Sequence, residues 1–135
     1  MNFLGNLIRP LKNDMELIEV GSILQDKNLA KLGDSYINFV FSLALTEVKQ
    51  RPTGIKVSDR VLAEAAKRSG LRKILPNRVN KDVLGNAVEA LIIHAWINKS
   101  ITIEESVNIL KKSINDPSQA FTNLIIKVLE RIDTK

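Results

Sequence analysis

Two apolar segments with helical spacing constrain the fold of this chain more than any other feature of its sequence. Over residues 28–48, apolar residues recur at helical spacing and also fill much of the remaining helix surface. A helix that is apolar nearly all round is a central or an interface helix. Residues 84–92 form a second apolar segment, and each segment contains one carboxylate, Asp34 in the first and Glu89 in the second. Because burial of an unpaired carboxylate is unfavourable, the two acids could share a cation.

Capping residues and helix breakers predict that the rest of the chain is also helical. Ser58, Asn80 and Thr102 are typical N-caps, and Gly70 is typical of the left-handed residue that follows a helix. With an N-cap at Asn13 and a proline start after Asp116, these signals predict helices over residues 14–24, 59–69, 81–98, 103–114 and 117–132, and a short turn at 71–75. We find no strand alternation, so the predicted fold class is all-α.

Length and composition indicate a single domain with an excess of positive charge. The 135 residues suffice for one core, and the net charge of +5 makes a nucleic-acid partner plausible. The chain contains no cysteine, which excludes disulfides, thiolate zinc sites and cysteine nucleophiles and fits a reducing compartment. The sequence shows neither a membrane-spanning run nor the pattern of a signal peptide, so we expect a cytoplasmic protein.

The positive charge is concentrated in one segment. Residues 65–81 contain no acid and six basic residues, which are Lys67, Arg68, Arg72, Lys73, Arg78 and Lys81. Such a segment is either a solvated basic face or a phosphate-binding surface, and the sequence favours the two readings equally.

The two acids could form a metal site if their helices pack side by side. Asn86 lies three residues before Glu89 and therefore on the same helix face. Magnesium prefers oxygen ligands and usually keeps several waters, so Asp34, Asn86 and Glu89 are candidate ligands. The alternative is that Asp34 faces solvent and merely pairs with Lys31 or Lys27 on its own helix.

Each acid has a glycine nearby inside its predicted helix. Gly33 and Gly85 each cost about 1 kcal/mol relative to alanine at such positions. Glycines there permit close approach of another helix or of a large ligand.

The single histidine and two large aromatic residues are predicted to serve packing. With no cysteine and no second histidine, His94 is a packed or partly exposed helix residue rather than a metal ligand. Trp96 and Phe121 are expected to anchor the core rather than to stack on bases.

The segments Leu32-Gly33-Asp34-Ser35 and Glu89-Ala90-Leu91-Ile92 resemble the two signature motifs of the ribonuclease III endonuclease domain. The similarity covers about residues 26–112 in order and spacing, and the chain looks closest to a small archaeal branch without a double-stranded-RNA-binding domain. The resemblance implies a ribonuclease III-like helical bundle, formed here by a single domain over residues 1–135.

The resemblance also implies an activity and a set of roles. The chain would be an endoribonuclease that cleaves double-stranded or structured RNA by means of a metal-activated water, with Mg²⁺ as the ion and Mn²⁺ as a possible substitute. Asp34 and Glu89 would be catalytic residues and metal ligands, and Asn86 an auxiliary ligand. Family members are homodimers that associate through the signature helix, and Ile37, Phe41 and Leu45 suit such an interface.

Two positions depart from the carboxylate set of the family. Ala30 stands where a glutamate is expected one turn before Asp34, and Asn86 stands where an aspartate is expected. The reduced set resembles that of the bacterial Mini-III enzymes. It also leaves open an alternative, in which the chain is a catalytically inactive relative that binds structured RNA as a scaffold.

The RNA contacts are expected to be electrostatic. A-form duplexes are recognised mainly by shape and through phosphates and 2′-hydroxyls, which suits scattered cations and few aromatic residues. Lys27 and Lys31, beside Asp34, and the basic residues between Lys67 and Lys81 are the candidate RNA-binding residues.

Overall fold

The structure, a computed structural model, describes residues 21–76 and 79–133. Residues 21–24 are helical and are followed by α1 (Lys27–Lys49), α2 (Asp59–Ser69), a 3₁₀-helix (Leu71–Ile74), α3 (Lys81–Ile97), α4 (Ile103–Lys111) and α5 (Pro117–Asp133). None of the residues in these ranges belongs to a strand, and the predicted all-α class is confirmed. Most of the helix predicted over residues 14–24 lies outside the described residues.

The predicted caps define the helix starts. The Ser58 side chain accepts a hydrogen bond from the Val61 amide, and the Asn80 side chain accepts one from Val83. Thr102 forms the capping box at the start of α4. Gly70 ends α2 with a φ of 86°, a left-handed conformation that glycine adopts without strain. Local sequence therefore sets most of the helix boundaries.

The end of α4 differs from the prediction. The helix stops at Lys111 rather than near residue 114, because the amides of Ser113 and Ile114 bond to carbonyls three residues back and tighten the chain into turns. Pro117 disfavours helical backbone in the preceding residue, so the chain has to leave α4 before Asp116.

The core lies where α1 and α3 pack together along their lengths, and α2, α4 and α5 cover it. Phe121 is fully buried and packs on Phe41, and His94 is also buried, as predicted. The prediction for Trp96 is wrong, because this residue is 40 % exposed near the end of α3, where its ring packs on Tyr36.

The prediction that Ile37, Phe41 and Leu45 form a dimer interface is also wrong. Ile37 and Phe41 are 0 % and 2 % exposed and belong to the core of a single chain, where Leu45 packs against them partly buried. These side chains are therefore not available to a second copy. Among the described residues, we find no helix with the length and apolar character needed to span a membrane.

Candidate catalytic and RNA-binding site

The structure brings the two predicted acids together. Asp34 of α1 and Glu89 of α3 share a hydrogen bond between their carboxyl groups. Two carboxyl groups in this arrangement retain a proton between them, so the protonated one donates to its ionised neighbour. The prediction that the two helices pack side by side at this point is confirmed.

Gly33 explains how the two helices come so close. A Cβ on Gly33 would overlap the carbonyl group of Glu89 and would lie 3.0 Å from its Cα. At Gly85, by contrast, the nearest atom to a Cβ would be Asp59 Oδ1 at 3.8 Å, which is an ordinary contact. Close packing of α1 against α3 therefore requires glycine at position 33, whereas position 85 has room for a methyl group.

Two residues hold the Asp34 carboxylate: Lys56 in the loop between α1 and α2, and Asn38 in α1 itself. Lys56 Nζ lies 3.4 Å from both carboxylate oxygens of Asp34. Asn38, one turn along α1, donates to Asp34 Oδ1 at 3.2 Å and accepts a hydrogen bond from the Val57 amide at 2.7 Å. Asn38 thus joins the loop that carries Lys56 to the carboxylate. The ion pair that Asp34 forms in the described part of the chain is with Lys56, not with Lys31 or Lys27.

The two acids have opposite pKa shifts. The pKa of Glu89 is raised to about 8, chiefly by burial and in addition by the hydrogen bond and negative charge of Asp34 and by the charge of Asp59. Burial also acts to raise the pKa of Asp34, but the hydrogen bond from Glu89 and the positive charge of Lys56 outweigh it and lower that pKa. Glu89 is therefore the group that holds the proton, and Asp34 is the ionised partner.

The donor chemistry fits a hard divalent cation that keeps several waters. Asp34 and Glu89 offer carboxylate oxygens, half-buried Asn86 offers an amide oxygen from the same face of α3, and the Lys56 ammonium already occupies the position of a cation beside Asp34. Within residues 21–76 and 79–133, no group of three or more histidines and acids is arranged to hold a metal by itself. Magnesium suits such a sparse set because it retains water ligands.

The predicted RNA-binding residues separate into different environments. Lys27 and Lys31 lie exposed on α1, and Lys73 lies exposed on the 3₁₀-helix. Arg68 is held in ion pairs with Glu64 at 3.0 Å and Asp116 at 3.5 Å. Arg78 lies outside the described residues. The structure thus does not gather all of these cations on one surface.

Three of the predicted cations meet in one cleft. A cavity of about 370 Å³ lies between α2, the 3₁₀-helix and the start of α3. Lys67, Arg72 and Lys81 line it together with Arg60, and Glu64, Ala63, Val79 and Leu84 complete the wall. We call this cavity the basic cleft.

Sequence reasoning missed three charged residues around the site. Lys56 lies 22 residues from Asp34 in a loop, and no local pattern indicates that the two meet. Asp59 was hidden by its ordinary role as an acid in the first turn of α2. Arg60 could have been found, because it precedes Lys67 by seven residues and so lies on the same face of α2.

The fold and the paired acids define an all-helical protein in which Asp34 and Glu89 form an acidic centre beside the basic cleft. Residues 27–133 match the family described as Ribonuclease III. The match covers most of the chain and includes α5, and this chain therefore belongs to the ribonuclease III family. Membership suggests an RNA endonuclease function, and proteins of this family usually use divalent metals. A search of curated proteins found no match. The closer likeness to an archaeal branch and to Mini-III enzymes stays a prediction.

Proposed function

We propose that this chain is a divalent-metal-dependent endoribonuclease that cleaves double-stranded or structured RNA. The observation that carries the proposal is the meeting of Asp34 and Glu89, which the close packing of α1 and α3 at Gly33 permits. Acids brought together at such cost in desolvation and repulsion are typical of functional sites. The family membership supports RNA as the substrate.

Asp34, Glu89 and Asn86 would hold the ion. A divalent cation bound there supplies charge neutralisation at the phosphoryl group and activates water for attack. Asn38 orients the Asp34 carboxylate by its hydrogen bond and fixes the adjacent loop. Lys56 places a positive charge beside the same carboxylate, where it can also interact with an RNA phosphate.

The exposed cations would attract and position the RNA. Lys27 and Lys31 lie on the helix that carries Asp34, so phosphates close to the cleavage point are within the reach of their side chains. Lys67, Arg72, Lys73 and Lys81 would provide further positive charge on α2, the 3₁₀-helix and α3. Arg68 would contribute less because Glu64 and Asp116 already pair with it. Arg78 is a further proposed RNA contact, on the basis of its sequence position alone.

A homodimer is part of the proposal, on a different surface from Ile37 and Phe41. Leu32 and Phe39 lie two turns apart on the same face of α1 and are 47 % and 53 % exposed. Tyr36 lies between them and packs against the exposed Trp96 of α3 at a ring-centroid distance of 5.8 Å. We call the exposed residues Leu32, Phe39 and Trp96 the α1 apolar patch, and Tyr36 is buried between them. An exposed apolar patch of this kind favours burial against a second copy.

A catalytically inactive RNA-binding protein is the second candidate. It is favoured by Ala30 and Asn86, which leave only Asp34 and Glu89 as acids at the family's metal positions. The basic residues serve both candidates equally and do not discriminate between them.

Cleavage of a labelled RNA duplex with Mg²⁺, with Mn²⁺ and with EDTA tests the proposal. We expect metal-dependent cuts by the wild type and none by Glu89→Gln, which keeps the side-chain shape but cannot release a proton to give the ion a carboxylate ligand. Glu130→Gln, the same change on the exposed face of α5, is the matched control and should cleave like the wild type. RNA binding without cleavage under either ion would favour the inactive relative instead.

A further inference from the structure

The basic cleft is a concave site whose charge is not balanced by its own walls. Arg60 and Lys67 enter it from α2, Arg72 from the 3₁₀-helix and Lys81 from the first turn of α3. Its volume of about 370 Å³ exceeds that of a single water or small ion. Four cations from three elements therefore converge on one space.

The acid in the wall does not neutralise these cations. Glu64 is paired with Arg68, which is not part of the cleft, at 3.0 Å. In the ranges that the structure describes, none of the four cleft cations forms an ion pair. Like charges held together without counter-ions repel one another, so the cleft favours a polyanionic ligand. The N-terminus of α3 adds a partial positive charge beside Lys81.

The cleft is adjacent to the acidic centre through two helices. On α2, Arg60 lines the cleft and follows Asp59, whose charge acts on Glu89. On α3, Leu84 lines the cleft and precedes Glu89 by five residues, or roughly 7.5 Å along the helix axis. Leu84 and Glu89 lie on different faces of α3, so an RNA strand that occupies the cleft reaches the acids around the first turn of α2, past Asp59, rather than along α3.

We propose that the basic cleft binds an internal backbone phosphate of the RNA, away from the scissile bond, and thereby positions the strand for cleavage at the acidic centre. This inference rests on the proposed function because it takes RNA as the ligand. Arg60 and Arg72 are the principal contacts, since a guanidinium can donate two parallel hydrogen bonds to one phosphate. Arg60 and Arg72 are therefore positioning residues, which hold the RNA strand by a phosphate away from the scissile bond.

Binding of the full chain to a fluorescent RNA duplex in EDTA, over a range of salt concentrations, tests the cleft. Arg60→Gln and Arg72→Gln remove one charge each from different elements, and Arg51→Gln is the control, because Arg51 is also exposed but does not line the cleft. We expect each cleft variant to weaken binding about tenfold and to lower the slope of log affinity against log salt by about one. The control should change affinity by less than about twofold. Equal effects of all three variants would overturn the proposal in favour of a diffuse positive field.

Two further arms separate the possible failures. If Arg72→Gln weakens binding only of duplexes with a 5′-phosphate and not of duplexes with a 5′-hydroxyl, the cleft binds an RNA end and the internal-phosphate proposal is overturned. If the wild type cleaves RNA but the cleft variants bind RNA no differently from the control variant, only the cleft proposal is overturned. A wild type that neither binds nor cleaves RNA overturns the proposed function as well.

Discussion

Gly33 of α1 lies against the main chain of Glu89 in α3, with no room for a side chain between them. A Cβ at position 33 would lie 3.0 Å from the Cα of Glu89 and closer still to its carbonyl group. Because the obstructing atoms are backbone, they cannot move aside without moving α3. This contact therefore fixes the separation of the two helices and, with it, the distance between the carboxyl groups of Asp34 and Glu89.

The first prediction concerns this contact. Gly33→Ala should destabilise the fold by about 3 kcal/mol, at the upper end of the range for overpacking, since the new methyl group meets backbone rather than a flexible side chain. It should also separate the two acids and reduce cleavage in the protein that remains folded. Urea unfolding followed by circular dichroism measures the stability change.

Gly85→Ala is the matched control for the first prediction. Its Cβ would meet Asp59 at 3.8 Å, which is an ordinary van der Waals distance. Alanine also favours the helix, so this variant should be as stable as the wild type or more stable by up to about 1 kcal/mol. If both variants lose the same stability, the special role of Gly33 is wrong.

The second prediction concerns pH. The pKa of Glu89 is about 8 in the folded protein, chiefly through burial, against an ordinary value of 4.5. Between these values the folded state retains a proton that the unfolded chain has released, so the free energy of unfolding should fall as pH rises from 4.5 to about 8. The contribution is fully present below this range and lost above it. The lowered pKa of Asp34 acts at more acidic pH and in the opposite direction.

Glu89→Gln tests that pH dependence because glutamine does not titrate. In EDTA, its free energy of unfolding should vary less with pH over this range than that of the wild type, while Glu130→Gln should retain the wild-type slope. Denaturant titrations at several pH values measure the difference. An unchanged slope in Glu89→Gln would show that another group retains the proton.

Most of the fold could be predicted from the sequence because its signals are local. Ser58, Gly70 and Asn80 act within a few residues of themselves, and the structure has them at the expected helix ends. The end of α4 was overestimated because its apolar pattern continues past the point where the backbone turns before Pro117. Trp96 was misplaced because sequence hydrophobicity does not say which side of a helix other elements cover.

The candidate site was predictable only in part. The family motifs and the helical pattern indicated Asp34 and Glu89, and the glycine beside Asp34 indicated close packing. Lys56 could not be inferred, because its contact with Asp34 depends on the path of the loop between α1 and α2. That path is fixed by tertiary hydrogen bonds such as the one from the Val57 amide to Asn38, which leave no local sequence signal.

The third prediction concerns Asn86. Replacement by aspartate, Asn86→Asp, should tighten divalent-ion binding about tenfold and increase any cleavage rate, because a carboxylate adds a negative charge to the oxygen donors on this face of α3. Titration of the protein with Mn²⁺ by calorimetry and of cleavage with Mg²⁺ measures both effects. Asn108→Asp, at an exposed position of α4, is the control. No change in either measurement would mean that position 86 does not contact the ion.

The fourth prediction concerns Lys56, whose ammonium lies 3.4 Å from both oxygens of Asp34. Because it competes with a bound cation for these oxygens, Lys56→Gln should lower the Mg²⁺ concentration needed for half-maximal cleavage, by about two- to fivefold for an exposed pair. Lys49→Gln at the end of α1 is the control. A higher Mg²⁺ requirement in Lys56→Gln would show instead that Lys56 assists binding of the ion or the RNA.

The last prediction concerns the oligomeric state. Phe39 is 53 % exposed and belongs to the α1 apolar patch, so Phe39→Glu would place a charge in an apolar contact without disturbing the core. We expect the wild type to sediment as a dimer and this variant as a folded monomer. Ile126→Glu, at a position 40 % exposed on α5 and outside the α1 apolar patch, is the matched control and should remain dimeric. A Phe39→Glu protein that still sediments as a dimer would place the interface on another surface, and a monomeric wild type would exclude the homodimer altogether.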